Sequence, residues 1–258
     1  MINIRAMAGV VLREMFRRKD FYVVFFLTAL LVTLMGASRF FSEDNAVASL
    51  KDICLLLIWL FSLVISVTTA ARQIPAECES GTIFPLLAKP VTRSEMVLGK
   101  FLGCWLATGL ALLVFYLFFS VASASREHTL HAGLYFQALL AHWMVLGITI
   151  AMCLLGSLVF AAPSSNSTIC LVGAVAIWSL GRYLNQIALG LSEPAGTLVS
   201  AVYYLIPHLE LFDLRQLVVH NYPPAPWGMW ALLLLYGVAY TAIFLLAACA
   251  VFRRKPLR

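Results

Sequence analysis

Six stretches of this chain stay apolar for about 18 residues or more, at roughly 21–38, 53–71, 99–122, 134–162, 168–191 and 229–252. Wound as an α-helix, such a stretch rises about 1.5 Å per residue and matches a hydrocarbon layer ~30 Å thick. Inside that layer no water satisfies backbone N–H and C=O groups, so a spanning segment must pair them itself. The chain therefore reads as all-α, a polytopic membrane protein with six transmembrane helices in one domain over 1–258. The composition agrees: 62% of residues are hydrophobic and 12% charged, against about half and a quarter in soluble domains. Mean hydropathy is +0.92. About twenty residues precede the first stretch, more than a short basic leader needs, so it is expected to remain as an anchor.

Lysine and arginine set the expected orientation. With both termini in the cytoplasm, the basic residues collect at the ends, between spans two and three, and in the clusters Arg17-Arg18-Lys19 and Arg253-Arg254-Lys255. Only Arg39, Lys51, Arg126, Arg182 and Arg215 of the 18 fall elsewhere. This is the positive-inside bias, and clusters at span ends meet an anionic inner leaflet. The lipid bilayer accounts for these charges, and no nucleic-acid partner is expected.

The polar segments carry the remaining information. Within 2–19, Ile4, Met7, Ala8, Val11, Leu12 and Met15 fall on one side of a helical wheel and Arg13 and Arg17 on the other. That pattern suits an amphipathic helix in the membrane interface, as an anchor or as a docking surface. Residues 73–98 form a cytoplasmic connection rich in charge. Thr92 with Glu95 reads as a capping box that starts the third span. Pro75 suits a helix first turn, and Pro85 and Pro90 punctuate the rest, so one or two short helices across the membrane face are expected. Gly99, Gly103 and Ala107 are small residues four apart that admit a close neighbour. Residues 163–167, Pro-Ser-Ser-Asn-Ser, read as a turn between the fourth and fifth spans. Residues 192–228 are external. Within them 195–206 is apolar but too short to cross, and a half-inserted, re-entrant segment followed by an interfacial helix over 208–219 fits before the last span.

Several chemistries are missing. The single Gly-Lys pair, Gly99-Lys100, has Ser94 where a phosphate-binding loop needs glycine and Phe101 where it needs Ser or Thr, so no ATP site of that kind exists in the chain. No H-E-x-x-H occurs, and His128 with His131 is a weak metal pattern. Cys54, Cys78, Cys104, Cys153, Cys170 and Cys249 form no C-x-x-C pair and read as small buried hydrophobes. No cofactor or metal is expected. His142 lies well inside a span and reads as a packed or cavity-lining group. Arg182 lies about 25 Å from the inner turn, where it can snorkel to the outer interface or line an external cavity. No chain of buried acids marks a proton relay. An external set, His208, Glu210, Asp213 and His220, gives a weaker reading as a membrane enzyme.

The segment after the second span reads Glu77-x-Glu79-x-Gly81-Thr82-Ile83, then Leu86-Leu87, Pro90, Arg93 and Gly99-Lys100-Phe101. It resembles the first cytoplasmic loop of ABC exporter permeases of the second type, in the branch containing the nitrous-oxide-reductase maturation permease. The amphipathic start, the six spans and a Pro-x-x-x-x-Phe-Asp segment, Pro207 to Asp213, extend the resemblance over nearly the whole chain. It implies a permease of a bacterial inner membrane, a homodimer, working above two copies of a separately encoded ABC ATPase that binds the ATP and Mg. Carried over by position, Glu77, Glu79, Gly81, Thr82, Pro90 and Arg93 are the residues that couple to that ATPase. A membrane scaffold of a maturation or secretion complex, moving no cargo, is the alternative. Cargo is not legible; spans rich in Phe, Leu and Trp suit something lipid-like or amphipathic.

Overall fold

The computed structural model describes residues 7–11, 13, 26, 44–79, 92–127, 131–160 and 162–254. Among them every regular element is a helix. In chain order these are α1 (Asp44–Glu79), α2 (Arg93–Glu127), α3 (Ala132–Val159), α4 (Pro163–Gly190), α5 (Ala195–Leu205), a 3-10 turn (Leu209–Phe212), α6 (Arg215–Val219) and α7 (Trp227–Arg254). Met7–Val11 is helical as well. Five helices, α1–α4 and α7, are long and apolar enough to cross a membrane, and α5 with the segment 209–219 forms a sixth candidate bent by 44°. The expected span at 21–38, Phe26 apart, and the rest of the 2–19 helix lie outside the described residues, as do Pro85, His128 and the tail beyond Arg254.

The bundle is built around α3. Its apolar stretch is 72% buried, against 22% for α4 and 28% for α7. Its clasp to α2 rests on a spacing the two helices share. Trp105 stands four residues before Gly109, and Trp143 four before Gly147. Each indole lies over the other helix's glycine: a Cβ on Gly109 would come within 2.3 Å of Trp143 Nε1, and one on Gly147 within 3.0 Å of Trp105 Nε1. Trp105 Nε1 donates to the Trp143 carbonyl at 3.1 Å, and Trp143 Nε1 returns the bond to the Trp105 carbonyl at 2.9 Å. The rings stack at 4.5 Å. Large aromatic area is thus buried with both polar tips satisfied, which a dry interior requires.

The connection between α3 and α4 corrects one expectation. Residues 163–167 are not a turn; Pro163 opens α4, where its missing N–H costs nothing, and the link shrinks to Phe160–Ala162. Asn166 turns inward and is fully buried. Its Nδ2 donates to the Cys153 carbonyl at 2.9 Å, and its Oδ1 accepts from Cys170 Sγ at 3.3 Å. Gly156 leaves the space, since a Cβ there would sit 2.1 Å from Asn166 Oδ1. Cys54, Cys104, Cys153 and Cys170 are buried, in keeping with the apolar reading of the cysteines, and Cys249 is half-buried.

At the far end of the bundle, where α2 finishes and α7 begins, the 192–228 segment holds the short apolar helix expected at 195–206, but 208–219 is a buried 3-10 turn and the five-residue α6 rather than one interfacial helix, and with α5 it forms a broken or re-entrant segment. α5 is a short apolar helix on α4, and the chain then turns inward through 206–213. Tyr236 Oη of α7 accepts from the His208 N–H at 3.0 Å, and Tyr240 Oη donates to the Ile206 carbonyl at 3.4 Å. The Phe212 ring fills the notch at Gly237, and the Glu210 carboxylate that at Gly181. Gln137 of α3 holds the return strand by both ends of its amide, to the Ala225 carbonyl and N–H, each at 2.9 Å.

Candidate functional site

The opposite, near end carries the residues singled out in the sequence. The apolar run of α1 stops at Ala71, yet the helix continues from Arg72 through Glu79; α2 likewise starts at Arg93, well before its apolar run at Phe101. With 36 and 35 residues, the two helices are each about 50 Å long, some 20 Å more than the hydrocarbon layer. The connection is therefore two helical posts with residues 80–91 between them, rather than short helices across the membrane face over all of 73–98. Pro75 lies inside α1 and not at a first turn.

Side chains lock these posts together. Gln73 and Glu77 are one turn apart on α1 and face the same way. Lys100 of α2 reaches both: its Nζ donates to Gln73 Oε1 at 3.1 Å and pairs with Glu77 Oε1. The Lys100 side chain is 6% exposed and that of Glu77 17%, so the pair is screened little by water. One helical turn further along α2, Gly103 receives the N-terminal turn. A Cβ on Gly103 would lie 2.7 Å from Val11 Cβ and 3.1 Å from Ala8 Cα, and Met7, Ala8 and Val11 are buried there. The apolar side of this turn packs on the bundle, so it is not free to lie in lipid, and the close approach that Gly103 permits is to the N-terminal turn rather than to another span.

The start of α2 is fixed twice. Thr92 and Glu95 form the expected box: the Thr92 N–H donates to Glu95 Oε2 at 2.8 Å and the Glu95 N–H to Thr92 Oγ1 at 3.2 Å. Arg93 then reaches across to the end of α7. Its Nη1 donates to the carbonyls of Phe252, at 2.8 Å, and Arg253, at 3.3 Å, and its guanidinium lies over the Phe252 ring. The last carbonyls of a helix lack intrahelical partners and carry its negative dipole end, so a cation belongs there. Arg253 returns the link through Nη2 to Ser94 Oγ at 3.1 Å.

The structure thus brings Glu77 and Arg93 to one end, each engaged within the chain. Glu79 sits in the last turn of α1; its side chain, together with Gly81, Thr82 and Pro90, lies outside the described residues. Lys100 and Gln73 were not singled out as site residues. The signal for Lys100 was a lysine beside an apolar run, which reads equally as a topology anchor.

Elsewhere among the described residues the polar groups do not assemble a reactive site. His142 is buried, with Nε2 at 2.9 Å from Ser62 Oγ and Nδ1 at 3.4 Å from Tyr116 Oη. Ser62 Oγ donates to the Trp59 carbonyl. The network then assigns His142 as the Nε2–H tautomer, donating to Ser62 and accepting from Tyr116. A serine whose proton is held by a backbone carbonyl is not an activated nucleophile, and His142 is the packed group expected of it. Of the external set, His208 Nδ1 pairs with Glu210 at 3.1 Å, Asp213 pairs with Arg215 at 2.9 Å, and the His220 ring lies tilted against that of Tyr222. These contacts hold the far segment. Among the described residues no three His, Cys, Asp or Glu side chains could hold a metal ion.

Long apolar helices around α3, with two of them extended and cross-braced at one end, define an all-α polytopic membrane protein. Residues 12–257 match the family described as ABC-2 family transporter protein, and the chain belongs to that family. It is accordingly a membrane subunit of an ABC transporter. No curated protein matches the chain.

Proposed function

We propose that this chain is the permease subunit of an exporter of the second ABC type, coupling ATP hydrolysis by a separate ATPase to transport or force transmission across a bacterial inner membrane. The near end and both termini face the cytoplasm. The observation that carries this reading is the braced pair of helical posts around 80–91. Force applied at that segment enters α1 and α2 together, because Glu77–Lys100 joins them, and reaches α7 through Arg93. Glu77 and Arg93 then act by holding the coupling segment, while Glu79, Gly81, Thr82 and Pro90 meet the ATPase. The ATPase supplies the ATP and Mg site that the chain lacks, and two copies serve a homodimer of this chain. The surface of α4 supports the second copy: Ser165, Thr168, Val172 and Ser179 are outward-facing, and a Cβ on Gly173 would meet nothing within 4 Å. Such small residues let a partner helix approach closely in lipid. A scaffold moving no cargo would not need a coupling segment joined rigidly to three spanning helices.

The test is capture of the ATPase on the tagged chain in its native membrane. The wild-type chain should retain an ATPase whose hydrolysis it stimulates. Glu79→Lys should lose that association by about 2–5 kcal/mol, the cost of breaking an interfacial charge pair, with the chain's thermal midpoint unchanged. An ATPase that stays bound and stimulated would remove Glu79 from the interface, and a fully competent isolated chain would overturn the reading.

A further inference from the structure

The far end of α1 carries a second charged contact, and it involves the re-entrant segment. Arg215, at the start of α6, is held on two sides. Its Nε and Nη2 donate to Asp213 at 2.9 and 3.0 Å, and its guanidinium lies 5.0 Å from the Trp178 ring centre. The remaining nitrogen, Nη1, points at Asp52 of α1 and stops 3.8 Å from Oδ1. That is within ion-pair range and beyond hydrogen-bond reach. Neither Nη1 nor Asp52 Oδ1 has another hydrogen-bond partner. Next to it, Lys51 Nζ donates to Asn221 Oδ1 at 3.5 Å, at the limit of a bond. Below the pair, Leu55 and Ile58 of α1 share an apolar cluster with Val218 and Val219 of α6.

Three features make this contact different from a passive surface pair. The guanidinium is already fixed by Asp213 and Trp178, so little side-chain freedom is lost when its third prong engages. The gap is such that an ångström of sliding along α1 either closes it to a hydrogen bond or opens it. And α1 is one continuous helix, with Pro75 in its near turns: Glu77 at its near end and Asp52 at its far end are 25 residues apart, about 38 Å along the same helix. On its other sides the segment 206–213 is seated on α4 and α7 by glycine notches and tyrosine hydroxyls.

We propose that Arg215 is the positioning residue through which α1 moves the re-entrant segment, with Asp52 as its counterpart on the rod. The inference rests on the near end being the driven end. Motion applied through Glu77–Lys100 travels up α1 and arrives at the far end as a change in the Asp52–Arg215 separation, which pulls 214–219 against the seat of 206–213 on α4 and α7.

The experiment uses the complex captured with its ATPase in lipid nanodiscs and reads two spin-label distances, with labels on click-reactive residues so that native thiols stay silent. The far pair is Gln216 with Met229; the near pair is Arg72 with Arg254, all exposed positions. ATP with vanadate should change both distances in the wild-type chain. Asp52→Asn should abolish the far change while leaving the near change, and Asp52→Glu should restore it. Asp52 is 39% exposed at its side chain, so the neutral variant keeps the fold. If Asp52→Asn moves at the far pair like wild type, or Asp52→Glu fails to restore a lost change, Arg215 is not the connection. If the near pair itself does not respond to ATP in the wild-type complex, the driven-end reading fails instead, and the two failures are distinguishable.

Discussion

Replacing Lys100 by methionine keeps the length of the side chain and removes its charge. Glu77 then loses its contact with the Lys100 ammonium and Gln73 Oε1 its donor. Breaking a buried pair on one side costs roughly 3–5 kcal/mol, because the charge left behind is desolvated and unmatched. Glu77 retains 17% exposure, and allowing for the water it still reaches leaves roughly 2–3 kcal/mol. The cost falls locally, on the post formed by Arg72–Glu79, which has no apolar run to hold it. At 1.4 kcal/mol per tenfold, the last two turns of α1 should open roughly 30- to 100-fold more often. Amide exchange of residues 73–79 in the purified chain reads this directly. The neutral double variant Glu77→Gln with Lys100→Met should exchange near the wild-type rate, since removing both charges leaves nothing unmatched. Two results would refute the reasoning: exchange at 73–79 unchanged in Lys100→Met, or a double variant that opens by the sum of the two single effects.

Two further substitutions test the packing around the posts and in the bundle's centre. Gly103→Ala places a methyl 2.7 Å from Val11 Cβ with backbone close behind it; overpacking of this kind costs about 1–3 kcal/mol. Proteolysis near Met7–Val11 should therefore accelerate, whereas Gly133→Ala, with nothing within 4 Å, should not change it. His142→Phe leaves the Tyr116 hydroxyl and one side of Ser62 without partners, for about 1–3 kcal/mol in thermal stability. Adding Tyr116→Phe should recover part of that loss, and a thermal midpoint indifferent to His142→Phe would show that the relay contributes nothing.

What the sequence made legible, and what it hid, divides by the range of the interaction. Continuous apolarity located α3 and α7 to within three residues at both ends, because burial in lipid is decided by each residue on its own, whereas α1, α2 and α4 run five to nine residues past their apolar runs at one end or both. The Thr92–Glu95 box was legible because both partners sit within one turn. The end of α1 was not. Arg72–Glu79 is polar and contains Pro75, which locally favours stopping the helix. It continues because Gln73 and Glu77 meet Lys100, 23 residues from Glu77 along the chain, and no local rule joins those positions. Asn166 failed for the same reason: beside serines and a proline it reads as a loop residue, and only the notch at Gly156, on another helix, turns it into a buried staple.

One long-range feature did leave a local trace. Trp followed by Gly four residues later occurs in both α2 and α3, at 105/109 and 143/147. A tryptophan in a membrane chain is first read as an interfacial anchor, which hides the complementarity of the two spacings. Read as a pair, they predict a bulky ring and a vacancy one turn apart on each helix, and two such helices fit when each ring covers the other's vacancy. The near end obeys a similar logic with charge in place of volume. Lys100 beside an apolar run satisfies the positive-inside bias, but that bias asks only for a cation near the interface, which an exposed lysine would satisfy equally. A lysine 6% exposed is held by something specific, and here it is the two residues of the neighbouring helix that keep the post standing.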